Sequence, residues 1–514
     1  MTKKESNKYD AIIIGSGFGG SMIATKLVSH GMKVLMLERG DWVQRGPQNW
    51  AMNSSLDLTP HYDKKQAFQV LKGGNKKQMG VYSCVGGPSV FYGGVSFRFR
   101  EKDFTPPVDI IGKSHAKWPI DYFDLQSFYG EAEALLQISG EAGVDPTEPP
   151  RKIDFPQKPG KLSDISQKLK SAAQGLGLHP YHLPLAINYY QKERNSCEYC
   201  TTCDTFACAV QAKNDLATCV LPDLINKGME LRPNCLVTKI ETKANQVSSV
   251  EIIDLTTNKT ENLTAKLFIL SAGALSSPHL ALSSGLGDLN PSGDIIGRYL
   301  MRHVNAILFG IFPSRADKEK RFHKQLAILD YYFGKEGESP LNKIGSLQQI
   351  PTPPEGLVKN EVPGYLGKFL SKGVRLLTGL LAIAEDQPNY ENRLKVDTNK
   401  KGKLGLAEAY VSHQYSSRDQ QAIKFLTKKA RRIMRNTGAW FFYEHHIKTF
   451  SHAVGTMRMG EDPTQSVLDR NCQFRGIDNL YVVDGSFMPT SAALNPSLTI
   501  SANALRVGEF IIKN

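Results

Sequence analysis

At 514 residues the chain is too long for one ordinary hydrophobic core, so two structural units, or one large discontinuous one, are expected. Hydrophobic content of 41% with no apolar run of transmembrane length argues against a membrane span, and the opening MTKKESNKYD lacks the apolar stretch of a secretory signal, which makes the cytoplasm the expected location. The net charge of +13 comes from Lys and Arg scattered along the chain without interleaved aromatics, the pattern of a solvated surface and not of a nucleic-acid interface.

The first informative stretch is Tyr9 to Gly40. Ala11 to Ile14 read as a short buried strand, Gly15, Gly17 and Gly20 complete a G-x-G-x-x-G turn, Ser21 to His30 read as an amphipathic helix, and Val34 to Leu37 form a second strand that ends in Glu38. This is the layout of a βαβ dinucleotide site: Gly15 for the tight turn, Gly17 for close approach of backbone to pyrophosphate, Gly20 for helix–strand packing, and Glu38 to accept the ribose hydroxyls. A carboxylate there would repel a 2′-phosphate, which disfavours NADP.

Further on, YSCVGGPSVFYGGVSFRFR (Tyr82 to Arg100) carries the pairs Gly86-Gly87 and Gly93-Gly94, with Ser89 between them. Small residues there let the backbone lie against a flat ligand, and with a dinucleotide turn upstream the segment is expected to run along the same cofactor. Trp118 to Gly140 has helical periodicity through Leu125, Tyr129, Ala132 and Leu136, while residues 141–165 are rich in Pro, Gly and charge and read as a connection. Strands return at Glu230 to Thr242, Val247 to Leu255 and Ala265 to Leu270, so the first unit is expected to be discontinuous. Residues 300–450 differ, with a strand at Ala306 to Phe312, a charged helix at Arg418 to Arg435, and a stretch from Tyr365 to Leu381 whose Leu366, Phe369, Leu370, Val374 and Leu377 predict a helix serving as core or lid, with a helix resting on a membrane surface as the alternative.

These segments together resemble the glucose-methanol-choline oxidoreductase family of FAD enzymes over nearly the whole chain. Gly86 to Arg98 matches the family's Gly-Gly loop and Arg-ended strand, GALSSPHLALSSGLG (Gly273 to Gly287) its second signature, and IGRYLMRH (Ile296 to His303) the segment that follows. SHAVGTMRMG, NLYVVDGSFMP and NPSLTISANAL reproduce the order and spacing of its carboxyl-terminal region. The resemblance implies an α/β fold: a discontinuous Rossmann-like FAD-binding domain (1–120, 205–300 and 451–514) with an antiparallel-sheet α+β substrate domain (121–204 and 301–450). It implies that Asp484 and Gly485 lie near the FAD pyrophosphate and that His452 and Asn495 face the flavin ring. Some relatives hold FAD covalently through a histidine of the Gly-Gly loop; Phe91 occupies that place here, so non-covalent FAD is expected.

Oxidation of a carbinol removes a hydroxyl proton while hydride leaves the carbon, so a base and an oxygen-stabilising donor must converge on one oxygen. Histidine, with an unperturbed pKa of about 6.5, suits the first role, and the Asn amide N–H the second. The reading is therefore an FAD-dependent oxidoreductase acting on CH–OH groups of an alcohol or sugar, with dehydrogenase favoured over oxidase. A lyase on the same fold and a cysteine-rich electron carrier with a degenerate site are the alternatives. His303, His445 and His446 read as packing or surface residues, with His446 an outlying candidate for the pocket wall.

Five of the eight cysteines fall between Cys197 and Cys219. Cys197, Cys200, Cys203 and Cys208 are spaced C-x₂-C-x₂-C-x₄-C, close to a run that wraps thiolates around an iron-sulfur cluster. The segment resembles the insert of dehydrogenase relatives that pass electrons to a cytochrome, although its spacing differs from theirs. An iron-sulfur cluster with a cytochrome or quinone partner is the first expectation, a tetrahedral zinc clip the second, and unliganded thiols the third.

Overall fold

The structure, a computed structural model, describes residues 8–514 apart from 52–53, 55–58, 73–74, 317, 322–323, 335–336, 354, 356–372 and 403–404. Its centre is a parallel sheet in the order Leu480–Val482, Ala265–Leu270, Tyr9–Ile14, Val34–Leu37, Glu230–Arg232. Ala11–Ile14, Val34–Leu37 and Phe268–Leu270 are buried, as expected of parallel strands covered on both faces. The helix Phe18–Ser29 follows the first strand directly, starting three residues earlier than the sequence pattern predicts, and the C-terminal helix Ser497–Lys513 packs beside it. Their contact is close enough that a Cβ on Gly508 would lie 2.8 Å from Lys26 Cβ.

A second, antiparallel sheet runs in the order Phe441–His446, Val304–Ile311, Leu377–Ala384, Gly345–Ile350, Leu326–Ile328, Tyr181–His182. The helix Ser417–Asn436 covers one face. It begins at a capping box in which Ser416 and Asp419 satisfy each other's backbone N–H, and it buries Ala422, Leu426, Ala430 and Ile433 against Leu308, Leu347, Leu380 and Ala382. The opposite face of Gly345–Ile350 presents Ser346 and Gln348 to the segment 491–495, where Ser346 Oγ donates to the Ala493 carbonyl at 2.9 Å. Smaller sheets flank this frame: Arg393–Lys401, Ala407–Ser412, Tyr62–Lys72 and Asn75–Tyr82 in one, and Cys235–Lys243, Gln246–Asp254 and Thr260–Leu263 in another. The fold is thus mixed α/β, a doubly covered parallel sheet joined to antiparallel sheets.

One expected element is corrected. The helix drawn over Tyr365 to Leu381 lies partly outside the described residues, and its last part, from Leu377, is strand through Ala384. Leu377 to Ala384, buried nearly throughout and apolar but for Thr378, is flanked by strands on both sides, a context in which period-two alternation disappears and leucine spacing can pass for a helix. Gly379 fits this place because a Cβ there would stand 2.8 Å from the Leu308 carbonyl of the neighbouring strand. Among the described residues no helix is long and apolar enough to cross a membrane.

Candidate active site

The glycine turn after the first strand is closed on two sides and open on one. A Cβ on Gly15, whose φ is +101°, would lie 2.4 Å from the Ser271 carbonyl, and one on Gly20 would lie 2.0 Å from the Gly15 carbonyl and 3.1 Å from Ile13 Cγ2. At Gly17 the same construction meets no atom of the described residues within 4 Å, nor does it at Gly273, the first residue of the second signature. Beside the turn, Ser271 Oγ is buried without a hydrogen-bond partner among the described residues. A close-packed turn that leaves one glycine facing free space, with an unsatisfied hydroxyl nearby, is a cradle that the pyrophosphate of FAD would fit. Gly20→Ala is therefore expected to lose both FAD and thermal stability, since backbone and not a flexible side chain blocks the methyl group; flavin absorbance per chain and the melting temperature measure the two losses.

The carboxylate at the end of the second strand ties the pieces together. Glu38 Oε2 accepts from Ser16 N at 3.1 Å and Ser16 Oγ at 2.6 Å, and Oε1 accepts from Gly40 N at 2.9 Å. Ser16 Oγ in turn accepts from Gly86 N at 2.9 Å, which draws the Gly86-Gly87 loop over the turn until a Cβ on Gly87 would be 3.2 Å from Gly17 Cα. Ser89 is fully buried and committed to its own loop, with Oγ donating to the Gly86 carbonyl at 2.6 Å and accepting from Leu216 N at 3.2 Å. Asp484 sits at the end of the Leu480–Val482 strand. Its Oδ1 accepts from Ser486 N at 2.9 Å and its Oδ2 from Gly273 N at 2.9 Å and from Ser277 Oγ, while burial raises its carboxyl pKa. Gly485 accepts through its carbonyl from Gly455 N at 3.1 Å, joining this turn to the segment that carries His452.

His452 and Asn495 meet between the two sheets. His452 Nε2 stands 3.3 Å from Asn495 Nδ2, and Asn495 Oδ1 accepts from Gln348 Nε2 at 2.9 Å. Both residues keep part of their surface open, whereas Ala492, Ala493 and Leu494 beside them are fully buried. Burial, then the neighbouring His303 and Lys324, push the His452 pKa well below its ordinary value, so the imidazole is neutral at neutral pH with a lone pair to offer.

His303 was expected to be packing or surface; it is fully buried, and its Nδ1 lies 3.0 Å from His452 Nδ1. Its signal in the sequence was its place at the end of IGRYLMRH. His446 lies exposed on the edge strand Phe441–His446, 3.2 Å from Glu444. Phe91 is buried with its ring stacked on Tyr82, centroids 4.9 Å apart.

The cysteine segment departs from its expectation. Cys197, Cys200, Cys203 and Cys208 line one cavity of about 20 Å³ with the buried Lys213, yet among the described residues no three His, Cys, Asp or Glu side chains are grouped to hold a metal ion. All eight cysteines are free thiols, and burial raises Cys197 to about 12 and Cys203 upward as well. The longer spacer before Cys208 is occupied elsewhere: Asp204 pairs with Lys324 at 2.5 Å and Thr205 N donates to the Phe91 carbonyl at 2.9 Å, docking the segment on the Gly-Gly loop. The residues as arranged do not form a thiolate cage.

The chain is 29% identical to paromamine 6′-oxidase of Streptomyces fradiae over 98% of its length and 91% of the relative's. It is 27% identical to 2-methyl-1,2-propanediol dehydrogenase of Mycolicibacterium austroafricanum, covering 98% and 95%. Among solved structures, pyridoxine 4-oxidase from Mesorbium loti superposes with a TM-score of 0.67 at 18% identity, covering 99% of this chain and all of that one, which speaks for the fold. The GMC oxidoreductase family matches over residues 9–305 with its N-terminal part and 388–504 with its C-terminal part, and the chain belongs to that family.

Proposed function

We propose that the protein oxidises a CH–OH group of an alcohol or sugar with non-covalently bound FAD, using His452 as base and Asn495 as oxygen-binding donor. The observation that carries this reading is the convergence of a neutral His452 Nε2 and the Asn495 amide, 3.3 Å apart, in a member of this family. A substrate hydroxyl placed against both would give its proton to His452 Nε2 while Asn495 Nδ2 donates to the oxygen as negative charge develops. Bound FAD would supply the two-electron acceptor for the hydride that leaves the carbinol carbon. Gly15, Gly17, Gly20 and Glu38 would hold its adenosine and pyrophosphate end, with Gly86, Gly87, Asp484 and Gly485 closing over it and Ser89 bracing the loop. The division into an FAD unit (1–120, 205–300, 451–514) and a substrate unit (121–204, 301–450) goes with this reading. An anaerobic panel of alcohols and sugars, scored by flavin bleaching, tests it. Cleavage of a substrate to a carbonyl product without bleaching would favour the lyase alternative.

Two finer points belong to the same proposal. Phe91 offers no nucleophile, so acid precipitation is expected to release free FAD into the supernatant; flavin remaining in the pellet would contradict this. The enzyme is read as a dehydrogenase that hands electrons to a cytochrome or quinone, its relatives including a dehydrogenase as well as an oxidase. Peroxide release matching substrate oxidation in air would replace that with an oxidase. No electron path is drawn through an iron-sulfur cluster. Iron with equimolar acid-labile sulfide in anaerobically purified protein would reinstate one, and one zinc per chain would establish the structural clip.

A further inference from the structure

The imidazoles of His303 and His452 face each other through like atoms, Nδ1 to Nδ1 at 3.0 Å. Two neutral histidines can share such a contact only if one ring carries its proton on Nδ1 and the other does not. The far side of His303 decides which. Its Nε2 lies 3.0 Å from the Ser491 carbonyl oxygen, and a carbonyl only accepts, so His303 Nε2 carries a proton. A neutral ring protonated there has a bare Nδ1, which can only accept; His452 Nδ1 must then be the donor. We infer that His303 is a positioning residue that fixes His452 as the Nδ1–H tautomer, leaving Nε2 as the bare nitrogen that faces Asn495 and the substrate oxygen. The inference rests on the reading of His452 as the base.

The surroundings agree with each link. Asn495 Nδ2 is the atom within reach of His452 Nε2, and Gln348 holds the other end of that amide by donating to Oδ1, so an amide N–H meets a lone pair. Burial lowers the His303 pKa against the opposing pull of Asp386, with Lys343 adding to the lowering, and this keeps the ring neutral. His452 feels His303 and Lys324 on one side of the balance and Asp386 on the other. The backbone at the two ends of the His303–Ser491 contact is held in place at some expense. His303 has φ +61° and Ala492 φ +52°, a left-handed region that costs a side-chain-bearing residue on the order of a kilocalorie or more, and each is pinned through its own N–H by a neighbouring carboxylate. His303 N donates to Asp386 Oδ1 at 3.1 Å, and Ala492 N donates to Glu385 Oε1 at 2.9 Å. Ser491 Oγ donates to the same Asp386 oxygen at 2.9 Å. The acceptor carbonyl and the ring it orients therefore share one anchor.

The direct test is histidine ring ¹⁵N spectroscopy on the FAD-loaded enzyme, with the His452 signal assigned from its absence in His452→Gln. The expected wild-type spectrum shows His452 protonated at Nδ1 and bare at Nε2. The opposite tautomer would overturn the inference even if the His303 variants failed to fold. His303→Leu, which removes the acceptor, is expected to give a mixture of tautomers and to lower the rate of flavin bleaching by on the order of tenfold or more, with KM held within about twofold. His303→Asn, whose side-chain oxygen can replace Nδ1, is expected to recover most of that rate. A wild-type tautomer and pH profile in His303→Leu would remove His303 from the mechanism while leaving His452 as base. Full turnover in His452→Ala would instead remove the base reading itself.

Discussion

His452→Ala is expected to retain the fold and the flavin but to lose turnover by on the order of a hundredfold or more, the usual contribution of a positioned general base. The side chain is only part-buried and its ring contacts are to His303 and Asn495, so its removal leaves no charged group stranded. The wild-type pH profile gives a second, independent handle. A base whose pKa is depressed by burial and by the neighbouring His303 and Lys324 stays unprotonated as pH falls through the ordinary histidine range, so the rate of flavin reduction should remain flat below about pH 6.5 and decline only under more acid conditions. Anaerobic stopped-flow bleaching across pH measures this. Near-normal turnover in the alanine variant, or an acid limb centred at the ordinary histidine pKa, would sink the assignment.

What the sequence revealed and what it hid divide along a physical line. The first βαβ unit was legible because its determinants are local: a buried apolar strand, glycines at fixed spacing, and an acid at the next strand end. Gly15 and Gly20 prove to be closed off by backbone at 2.4 and 2.0 Å and Gly17 to be open, the division of labour expected from the spacing. His452 and Asn495 carried no such local signature and were legible only through the resemblance of the carboxyl-terminal segments. His303 was passed over because its partner is 149 residues away and a single histidine after a polar turn looks the same whether it is packed or functional. The strand Leu377–Ala384 was misread because a strand buried on both faces loses its alternation. The cysteines invited a cage from spacing alone, but spacing does not report that Asp204 and Thr205 are drawn toward Lys324 and Phe91.

Lys343 is the residue the sequence hid most completely, and its replacement should have the largest effect on stability. In the run LNKIGS it reads as a surface lysine, yet it is almost fully buried, with Nζ 2.6 Å from Asp103 Oδ1 and 2.5 Å from Glu385 Oε2. Burial alone would depress its pKa; the two carboxylates outweigh that and hold it raised, so the ammonium is charged. Both carboxylates in turn support the segment that carries Asn495. Glu385 Oε1 accepts from Ala492 N, and Asp103 accepts from Tyr332 Oη at 3.0 Å, whose oxygen accepts from Ala493 N at 3.2 Å. Lys343→Met keeps the volume and removes the only cation in ion-pair contact with both acids among the described residues. Stranding buried charge in this way costs about 3–5 kcal/mol. The sign with pH follows from Glu385, whose carboxyl burial already raises: a group with a raised folded pKa is more stable protonated, and that stability is lost as pH climbs through it. The gap between wild type and variant is therefore expected to be wider at about pH 8 than at about pH 5, as read from urea denaturation midpoints at the two pH values. Replacing the acids together with the lysine, as Asp103→Asn, Glu385→Gln and Lys343→Met in one chain, should recover much of the loss, since no uncompensated charge then remains. A single Lys343→Met variant as stable as wild type at both pH values would show that the ammonium holds nothing together.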